Sequence, residues 1–581
     1  GHFPGAKKDT PYNHRQPRRI LLRPRLSASK RMNTAHFPHW PAGLPFTLTP
    51  PQTSVYVNLE ISAQRYPDKP ALIFYGHRIS YRELHKEVDT LAAYLQQACG
   101  VKRGDRVLLH MQNSPQFVIA FYAIMRADAV IVPVNPMLMT DELQHTVEDS
   151  GAEVALSAQD LLPQIVPLLD TGKLRKIVVA CYSDYLGSDA QEAPAWLTAP
   201  RTVQNDSRLC PWYDALEAGH QPAPHAAGPD DLACMPYTSG TTGKPKGCMH
   251  THRSLMFNAI SGALWGGAGS PDHVLLLSLP LFHVTGMQIS MNGAIYAGAT
   301  LIMMARWDRD LAGRLITEHK VTSWTSIPTM MIDFLSNPRL DDYDISSLRR
   351  VSGGGAAMPA AIAQKLLDMT GLKYMEGYGL SETIATSHSN PLQRLKQQCL
   401  GIPIFNVDSR IINPDTLREL PANEVGEIII HGPQVFAGYW GDGEKTRAAF
   451  IELDGKSFFR SGDLGYRDDE GFFFFTDRLK RMINASGYKV WPAEVEALMY
   501  RHPAIRECCI IAAPDEYRGE TVKAVVVKQT GSTLTADELI AWAREHMAAY
   551  KVPRLVSFVD ALPKSATGKV MWRQLQEAEL R

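Results

Sequence analysis

Eleven consecutive residues, Tyr237-Thr238-Ser239-Gly240-Thr241-Thr242-Gly243-Lys244-Pro245-Lys246-Gly247, carry four aliphatic hydroxyls, three glycines and two lysines. Glycine lets a backbone close on an oxyanion and adopt positive φ. Hydroxyls and free amides donate to phosphate oxygens, and lysine adds charge. Following the strand-like run Leu232 to Met235, this composition points to a phosphate-binding loop. The spacing is not the G-x-x-x-x-G-K-[ST] pattern, because Pro245 follows Lys244 and no Ser or Thr follows Lys246. Farther along, Glu382, Asp463 and Lys569 each lie in a short segment with glycine or hydroxyl neighbours. Alone, each has an ordinary reading: a solvated glutamate, a turn aspartate and a solubility lysine near the chain end.

Taken together and in order, the segments say more. After the phosphate loop come Ser352-Gly353-Gly354-Gly355-Ala356-Ala357-Met358-Pro359, Tyr378-Gly379-Leu380-Ser381-Glu382-Thr383 and Ser461-Gly462-Asp463. Then follow Asp477-Arg478-Leu479-Lys480-Arg481-Met482-Ile483 with Ser486-Gly487-Tyr488-Lys489-Val490, and Pro563-Lys564-Ser565-Ala566-Thr567-Gly568-Lys569. Over about residues 50–575 the chain resembles the adenylate-forming enzymes: acyl-CoA synthetases, beetle luciferases and peptide-synthetase adenylation domains. The resemblance implies an α/β fold, with a large N-terminal domain of several subdomains and a small, mobile C-terminal α+β domain.

It also implies a reaction and its residues. A carboxylate attacks the α-phosphorus of ATP, pyrophosphate leaves, and the acyl-adenylate then yields its acyl group to the thiol of CoA. Charge builds on phosphate oxygens in both steps, so positioning and fixed positive charge supply most of the acceleration. By resemblance, Thr238, Ser239, Gly240, Thr241, Thr242, Gly243 and Lys246 hold phosphate. Gly355, Ala356, Ala357, Tyr378 and Gly379 flank adenine, and Thr383 contacts the α-phosphate. Asp463 accepts the ribose hydroxyls with Arg478 supporting it. Glu382, with Thr238, faces Mg²⁺, an ion that keeps water and takes few protein oxygens. Lys569 bridges the substrate carboxylate and the α-phosphate, and His283 lines the acid pocket or the thiol channel, with a packed core histidine as the alternative. Lys480 is the hinge, where many relatives carry aspartate. Gly487, Tyr488 and Lys489 border the CoA channel. The implied small molecules are therefore a carboxylic acid, ATP, Mg²⁺ and CoA.

These residues need elements to hold them. Helical spacing from Leu84 to Leu95, a strand Arg106 to His110, a helix Pro115 to Met125 and a strand Ala129 to Val134 set a β-α-β rhythm, which predicts parallel sheets under helices. Gly187 to Asp231 reads as a long surface connection. Past Asp477 the pattern changes. A helix starts at Pro492, strands run Cys508 to Ala512, Thr521 to Lys528 and Leu555 to Val559, and a helix spans Ala536 to Met547. The expected division is 1–45 as a basic N-terminal extension or cloning remnant, 46–479 as the large AMP-binding domain and 480–581 as the small domain.

Composition bounds the alternatives. The 581 residues are 45% hydrophobic and 21% charged, with 60 basic and 60 acidic side chains. No general polyanion surface is implied, so no nucleic acid partner is expected. Residues 1–32 nevertheless hold nine Lys/Arg against one Asp, a balance of +8 that leaves −8 on the remainder. That arm could target or dock the protein, so a peripheral membrane contact stays open, as does a homodimer; Met32 is an alternative natural start. The most apolar stretch, Phe117 to Val134, contains Arg126 and Asp128 and is too short to span a bilayer of ~20 residues. Eight scattered cysteines without a C-x-x-C pair argue for reduced thiols and a cytoplasmic setting.

The acid pocket is expected in His250 to Gly267, Leu279 to Gly286 and Trp324 to Met331. These hold Met249 at their edge, then Met256, Phe257, Trp265, Met287, Met291, Trp324, Met330 and Met331. Flexible methionines suit a fatty chain, although the same residues suit an ordinary core. A medium- or long-chain fatty acid leads. An aryl or other small acid, or loading of a separate acyl carrier protein, is the alternative; a non-catalytic nucleotide-binding regulator would be expected to lack Lys569, Glu382 or Asp463. The chain ends a dozen residues after Lys569, which argues against an appended carrier domain.

Overall fold

A computed structural model describes residues 34–238, 244–267, 269–485, 488–515, 519–565 and 568–580. Two large sheets form the body. One has seven strands and is parallel except where His250–Thr251 meets Leu232–Cys234. The other has nine strands. Its parallel centre is built from Tyr374–Leu380, Arg350–Gly354, Ser323–Ser326, Val274–Leu277, Thr300–Met303 and Pro70–Phe74 in that spatial order. Buried apolar residues from both sheets and the helices between them join in one core.

Local chemistry explains the helices. Ser80 and Glu83 form a capping box that starts helix Tyr81–Gln97. Ser114 caps helix Pro115–Arg126, whose first position is proline. All twelve residues of that helix are buried, which accounts for the apolar stretch without a membrane: the helix is sandwiched between layers. Arg126 at its end pairs with Asp89 at 2.8 Å. No described helix is long and apolar enough to cross a membrane.

Two expectations change. Gly187 to Asp231 is not one irregular connection: Leu209–Pro211 adds an edge strand to the seven-stranded sheet and Trp212–Glu217 is helical, with Trp212 fully buried. Residues 34–45, assigned by composition to the head, are packed into the body. Trp40 makes edge contacts with Trp265 (4.8 Å) and Phe405 (5.6 Å), and His36 is 2% exposed. Aromatic burial overrides the proline- and basic-rich character of the neighbouring residues.

A third, antiparallel sheet of five strands includes Gly426–His431, Lys456–Arg467 and Phe473–Arg478. A short turn, Leu479–Arg481, then leads into a separate mixed sheet of five strands with its own core. The architecture is thus a large α/β N-terminal domain and a small α+β C-terminal one. One carboxylate spans the turn: Asp477 accepts from the Ala493 amide at 2.7 Å, in the first turn of helix Pro492–Met499.

Candidate active site

Thr238 and Lys246 face each other across a two-stranded hairpin, Tyr237–Thr238 with Lys246–Gly247. The phosphate-loop residues Ser239, Gly240, Thr241, Thr242 and Gly243 lie outside the described residues; the hairpin is the base from which they spring. Lys246 lies over the Tyr439 ring (5.1 Å) and 3.8 Å from Asp442. Burial and the neighbouring cation Lys445 pull its pKa down.

The acid-hydroxyl segment sits on the end of strand Tyr374–Leu380. Glu382 is half-buried and accepts from the Tyr439 hydroxyl at 3.0 Å. Burial pushes its carboxyl above the usual range, so a cation at this carboxylate would relieve an unfavourable charge. Among the described residues no three His, Cys, Asp or Glu side chains converge into a metal cage. Glu382 therefore fits an ion held largely by substrate oxygens and water.

Thr383 departs from its expected role. It is fully buried, and its hydroxyl donates to the Ala385 carbonyl (2.7 Å) and accepts from the Leu380 amide (2.9 Å). These bonds brace a turn in which Ile384 and Ala385 have φ of +42° and +94°, conformations that cost non-glycine residues of order 1–3 kcal/mol each. Ser381 is the hydroxyl left available: it is half-buried, and its Oγ has no partner among the described residues. Sequence reading passed over it because two hydroxyls flank Glu382 and only burial separates them.

At the residues expected to meet ribose, Tyr378 donates to Asp463 Oδ2 at 2.7 Å, and Arg478 Nε lies 3.1 Å from Asp463 Oδ1. Asp463 and Arg478 are paired across adjacent strands, so the sheet register sets this contact. Asp463 is 2% exposed. Burial, then the Asp463 charge, holds the Tyr378 phenol well above its ordinary pKa. The residues expected beside adenine, Gly355, Ala356 and Ala357, are exposed at the end of strand Arg350–Gly354, and Gly379 is exposed on the next strand.

Lys569 comes from the small domain and reaches this place. A Cβ built on Gly355 would lie 3.2 Å from its Cε and 3.6 Å from its Nζ. Solvent still reaches the side chain in the cleft, while surrounding protein, then Arg478, lowers its pKa. His283 is near enough to feel that charge: burial, then Lys569, takes its pKa down to about 3. The Thr285 amide donates to His283 Nδ1 (3.3 Å), which leaves the proton of the neutral ring on Nε2. Lys480 lies in the turn between domains, close enough to Lys246 to help depress it. Tyr488 and Lys489 open strand Tyr488–Val490, paired with Ile483–Ala485; Gly487 lies outside the described residues.

Three further residues hold the site together. Buried His250 donates from Nε2 to the Ser381 carbonyl at 2.7 Å, tying the hairpin to the acid-hydroxyl turn. Tyr439 contacts both Glu382 and Lys246, and Asp442 pairs with Lys246. None lies in a motif. Their only sequence signal is the glycine-aromatic run Gly438-Tyr439-Trp440 and the first histidine of the pair in Met249-His250-Thr251-His252.

The expected acid-pocket residues divide otherwise. Met256, Phe257, Met287, Met291, Trp324 and Met331 are all at most 1% exposed and belong to packed cores.

Comparison with known proteins agrees with this arrangement. A family model for AMP-binding enzymes matches residues 59–440, and one for the AMP-binding enzyme C-terminal domain matches 494–569. A long-chain-fatty-acid–CoA ligase of Bacillus subtilis is 35% identical over 555 residues, 93% of this chain and 97% of that one. A feruloyl-CoA synthase of an Amycolatopsis species is 34% identical over 513 residues, 88% of this chain and 96% of its own. The crystal structure of ATP-bound MatB from Rhodopseudomonas palustris superposes with a TM-score of 0.80 at 28% identity, covering 91% of this chain and 99% of that one. With both family models matched in order and a site assembled from both domains, the chain belongs to the AMP-binding enzyme family.

Proposed function

We propose that this protein is an ATP-dependent acid–CoA ligase that forms an acyl-adenylate, releases pyrophosphate and then transfers the acyl group to CoA with release of AMP. The observation that carries the reading is the approach of Lys569 to Gly355, beside the Tyr378–Asp463–Arg478 cluster. It sets a mobile-domain cation at the end of the adenine-side strand, where an α-phosphate and a carboxylate would meet.

Each residue then has a task. Asp463, oriented by Tyr378 and Arg478, accepts from ribose. Thr238, Lys246 and the loop between them bind the β- and γ-phosphates. Ser381 donates to the α-phosphate while Thr383 braces its turn. Lys569 neutralises charge shared by the attacking carboxylate and the phosphoryl oxygens. Neutral His283 lines the path of the acid. Glu382, with Thr238, would hold Mg²⁺, which neutralises charge on the departing pyrophosphate. Lys480 is the hinge at the 479/480 boundary. Rotation there removes Lys569 and brings the segment Gly487-Tyr488-Lys489 to the thiol path.

A medium- or long-chain fatty acid is the leading substrate, supported by relatives named long-chain-fatty-acid–CoA ligases at 32–35% identity. The eight free, buried cysteines support a reducing, cytoplasmic setting. The basic residues before Met32 support a peripheral contact with anionic lipid, which liposome binding with and without them tests. The central experiment is pyrophosphate release across a panel of carboxylic acids, with and without CoA. A chain-length optimum with CoA-stimulated turnover is expected. Release that CoA leaves unchanged would instead indicate a carrier-protein acceptor.

A further inference from the structure

The phosphate hairpin is gripped by a helix that belongs to none of the motifs. Helix Thr140–Ser150 packs on the seven-stranded sheet, where its buried Leu143 and Val147 share a core with Met235, two residues before Tyr237. Tyr237 and Trp440 pack against the same core. The helix reaches both stems of the hairpin. His145 Nε2 lies 2.8 Å from the Pro245 carbonyl; a carbonyl only accepts, so Nε2 carries the proton. Asp149 Oδ2 accepts from the Tyr237 hydroxyl at 2.7 Å. Pro245 precedes Lys246 and Tyr237 precedes Thr238, and Lys246 and Thr238 are the pair that face each other across the hairpin.

His145 and Asp149 stand four residues apart, on one face of the helix. That interval advances about 6 Å, against about 5 Å between neighbouring strands, so one helical turn matches the two stems. The same turn reaches the far edge of the site. The Asp149 carbonyl accepts from Trp440 Nε1 at 3.0 Å. Trp440 follows Tyr439, which contacts both Glu382 and Lys246. Arg106 closes the arrangement. Its guanidinium donates to the Ser150 and Gly151 carbonyls at 2.7 and 3.2 Å, where the helix end lacks amide donors, and lies over the Trp440 ring at 5.3 Å.

Resting on the acid–CoA ligase reading, we propose that His145 and Asp149 are positioning residues for ATP: they hold Lys246 and Thr238 at the separation that the β- and γ-phosphates need. Neither touches the reacting atoms. Their influence is confined to the half-reaction that uses those phosphates. Thiol attack on the acyl-adenylate has no β- or γ-phosphate to place and is indifferent to them. Position and charge predict opposite signs at Asp149. It is an anion beside a stem of the phosphate site, so by charge alone its removal would tighten ATP binding; by position, its removal loosens Thr238 and weakens binding.

The test measures KM for ATP in acid-dependent pyrophosphate release, beside thioester formation from pre-formed acyl-adenylate and CoA. Tyr237→Phe and Asp149→Ala break the same bond. Each should raise KM for ATP about three- to tenfold, the range of one hydrogen bond, and the double variant should do no more than either alone. His145→Ala should act to a similar extent from the other stem. Asp149→Asn keeps an acceptor and His145→Gln keeps a donor, so both should recover most of the loss. Thioester formation should stay within about twofold of wild type throughout. Asp149 is exposed, and His145 and Tyr237 are half-buried, so the variants are expected to fold; if an alanine variant does not, Tyr237→Phe decides alone. An unchanged or lower KM for ATP in Tyr237→Phe and Asp149→Ala, or equal loss of the two half-reactions, overturns the proposal while leaving the ligase reading intact. A wild type that releases no pyrophosphate with any acid overturns both.

Discussion

Lys569 of the small domain lies against Gly355 of the large one, within 3.6 Å of where a Gly355 side chain would begin. Gly355 also holds φ at +85°, a conformation that costs an L-residue roughly 1–2 kcal/mol. Gly355→Val therefore strains the loop and pushes Lys569 off its position. Adenylation, read as pyrophosphate release, should fall at least tenfold. Lys569→Ala should lower it about 10²- to 10³-fold, the effect of deleting one electrostatic stabiliser. Both variants should still convert pre-formed acyl-adenylate to thioester. Equal loss of the two half-reactions would refute the assignment of Lys569.

Tyr378 and Arg478 bind the two oxygens of Asp463 separately. Tyr378→Phe keeps the ring and removes one hydrogen bond to a buried carboxylate. That bond is worth about 1–2 kcal/mol, so KM for ATP should rise by roughly five- to thirtyfold with little change in KM for the acid. Asp463→Asn should weaken ATP binding further, because it removes the charge that Arg478 meets. An unchanged ATP KM in both would show that the cluster merely joins strands.

The two hydroxyls beside Glu382 make a paired test. Thr383→Val leaves the positive-φ turn at Ile384 and Ala385 without its brace and strands buried backbone groups; stability should drop by about 1–3 kcal/mol. Ser381→Ala should leave the melting temperature almost unchanged and cut adenylation about tenfold or more. The reverse pattern would return the α-phosphate role to Thr383.

What could be read in the sequence was what lies contiguous along it. The chemistry of the Tyr237–Gly247, Tyr378–Thr383 and Pro563–Lys569 segments is carried by neighbours in the chain, so residue type and spacing suffice. Strand Arg106–His110 and helix Pro115–Arg126 were equally legible because periodicity and caps are local. His250, Tyr439 and Asp442 were not, since each acts on a group brought to it by the fold. The methionines read two ways for another reason. Apolar side chains look alike whether they fill a core or line a pocket, and Met256, Met287 and Met291 fill a core. Composition also misplaced Trp40, whose burial depends on Trp265 and Phe405 far along the chain. Trp40→Ala should cost about 3–5 kcal/mol of stability, measured by denaturant unfolding; a loss under 1 kcal/mol would mean the segment is not part of the fold.

The buried histidines set an acid limit. Burial lowers His36, His110, His250 and His252 to about 4, and His283 and His388 to about 3, from an ordinary 6.5. In the unfolded chain each binds a proton near pH 6.5; in the folded chain it stays neutral to far lower pH. Below pH 6.5 the unfolded state thus binds more protons, and stability falls as pH drops. The loss should begin near pH 6.5, steepen toward pH 4 and be absent above pH 7 from this source. Glu376 acts in the opposite direction: burial raises it to about 7, so its folded form keeps a proton that the unfolded chain releases, and it favours folding more as pH falls from 7 to 4.5. Burial likewise raises Glu87, Asp160, Asp184, Glu382 and Asp477, so these carboxyls offset part of the histidine loss, and the decline expected from the six histidines is what remains. Melting temperature against pH checks it. His388→Asn, removing a ring packed between Tyr378 and Phe473, should lower stability at pH 7.5 yet flatten the decline between pH 6.5 and 4.5. A slope unchanged by that substitution would mean the acid transition belongs to other groups.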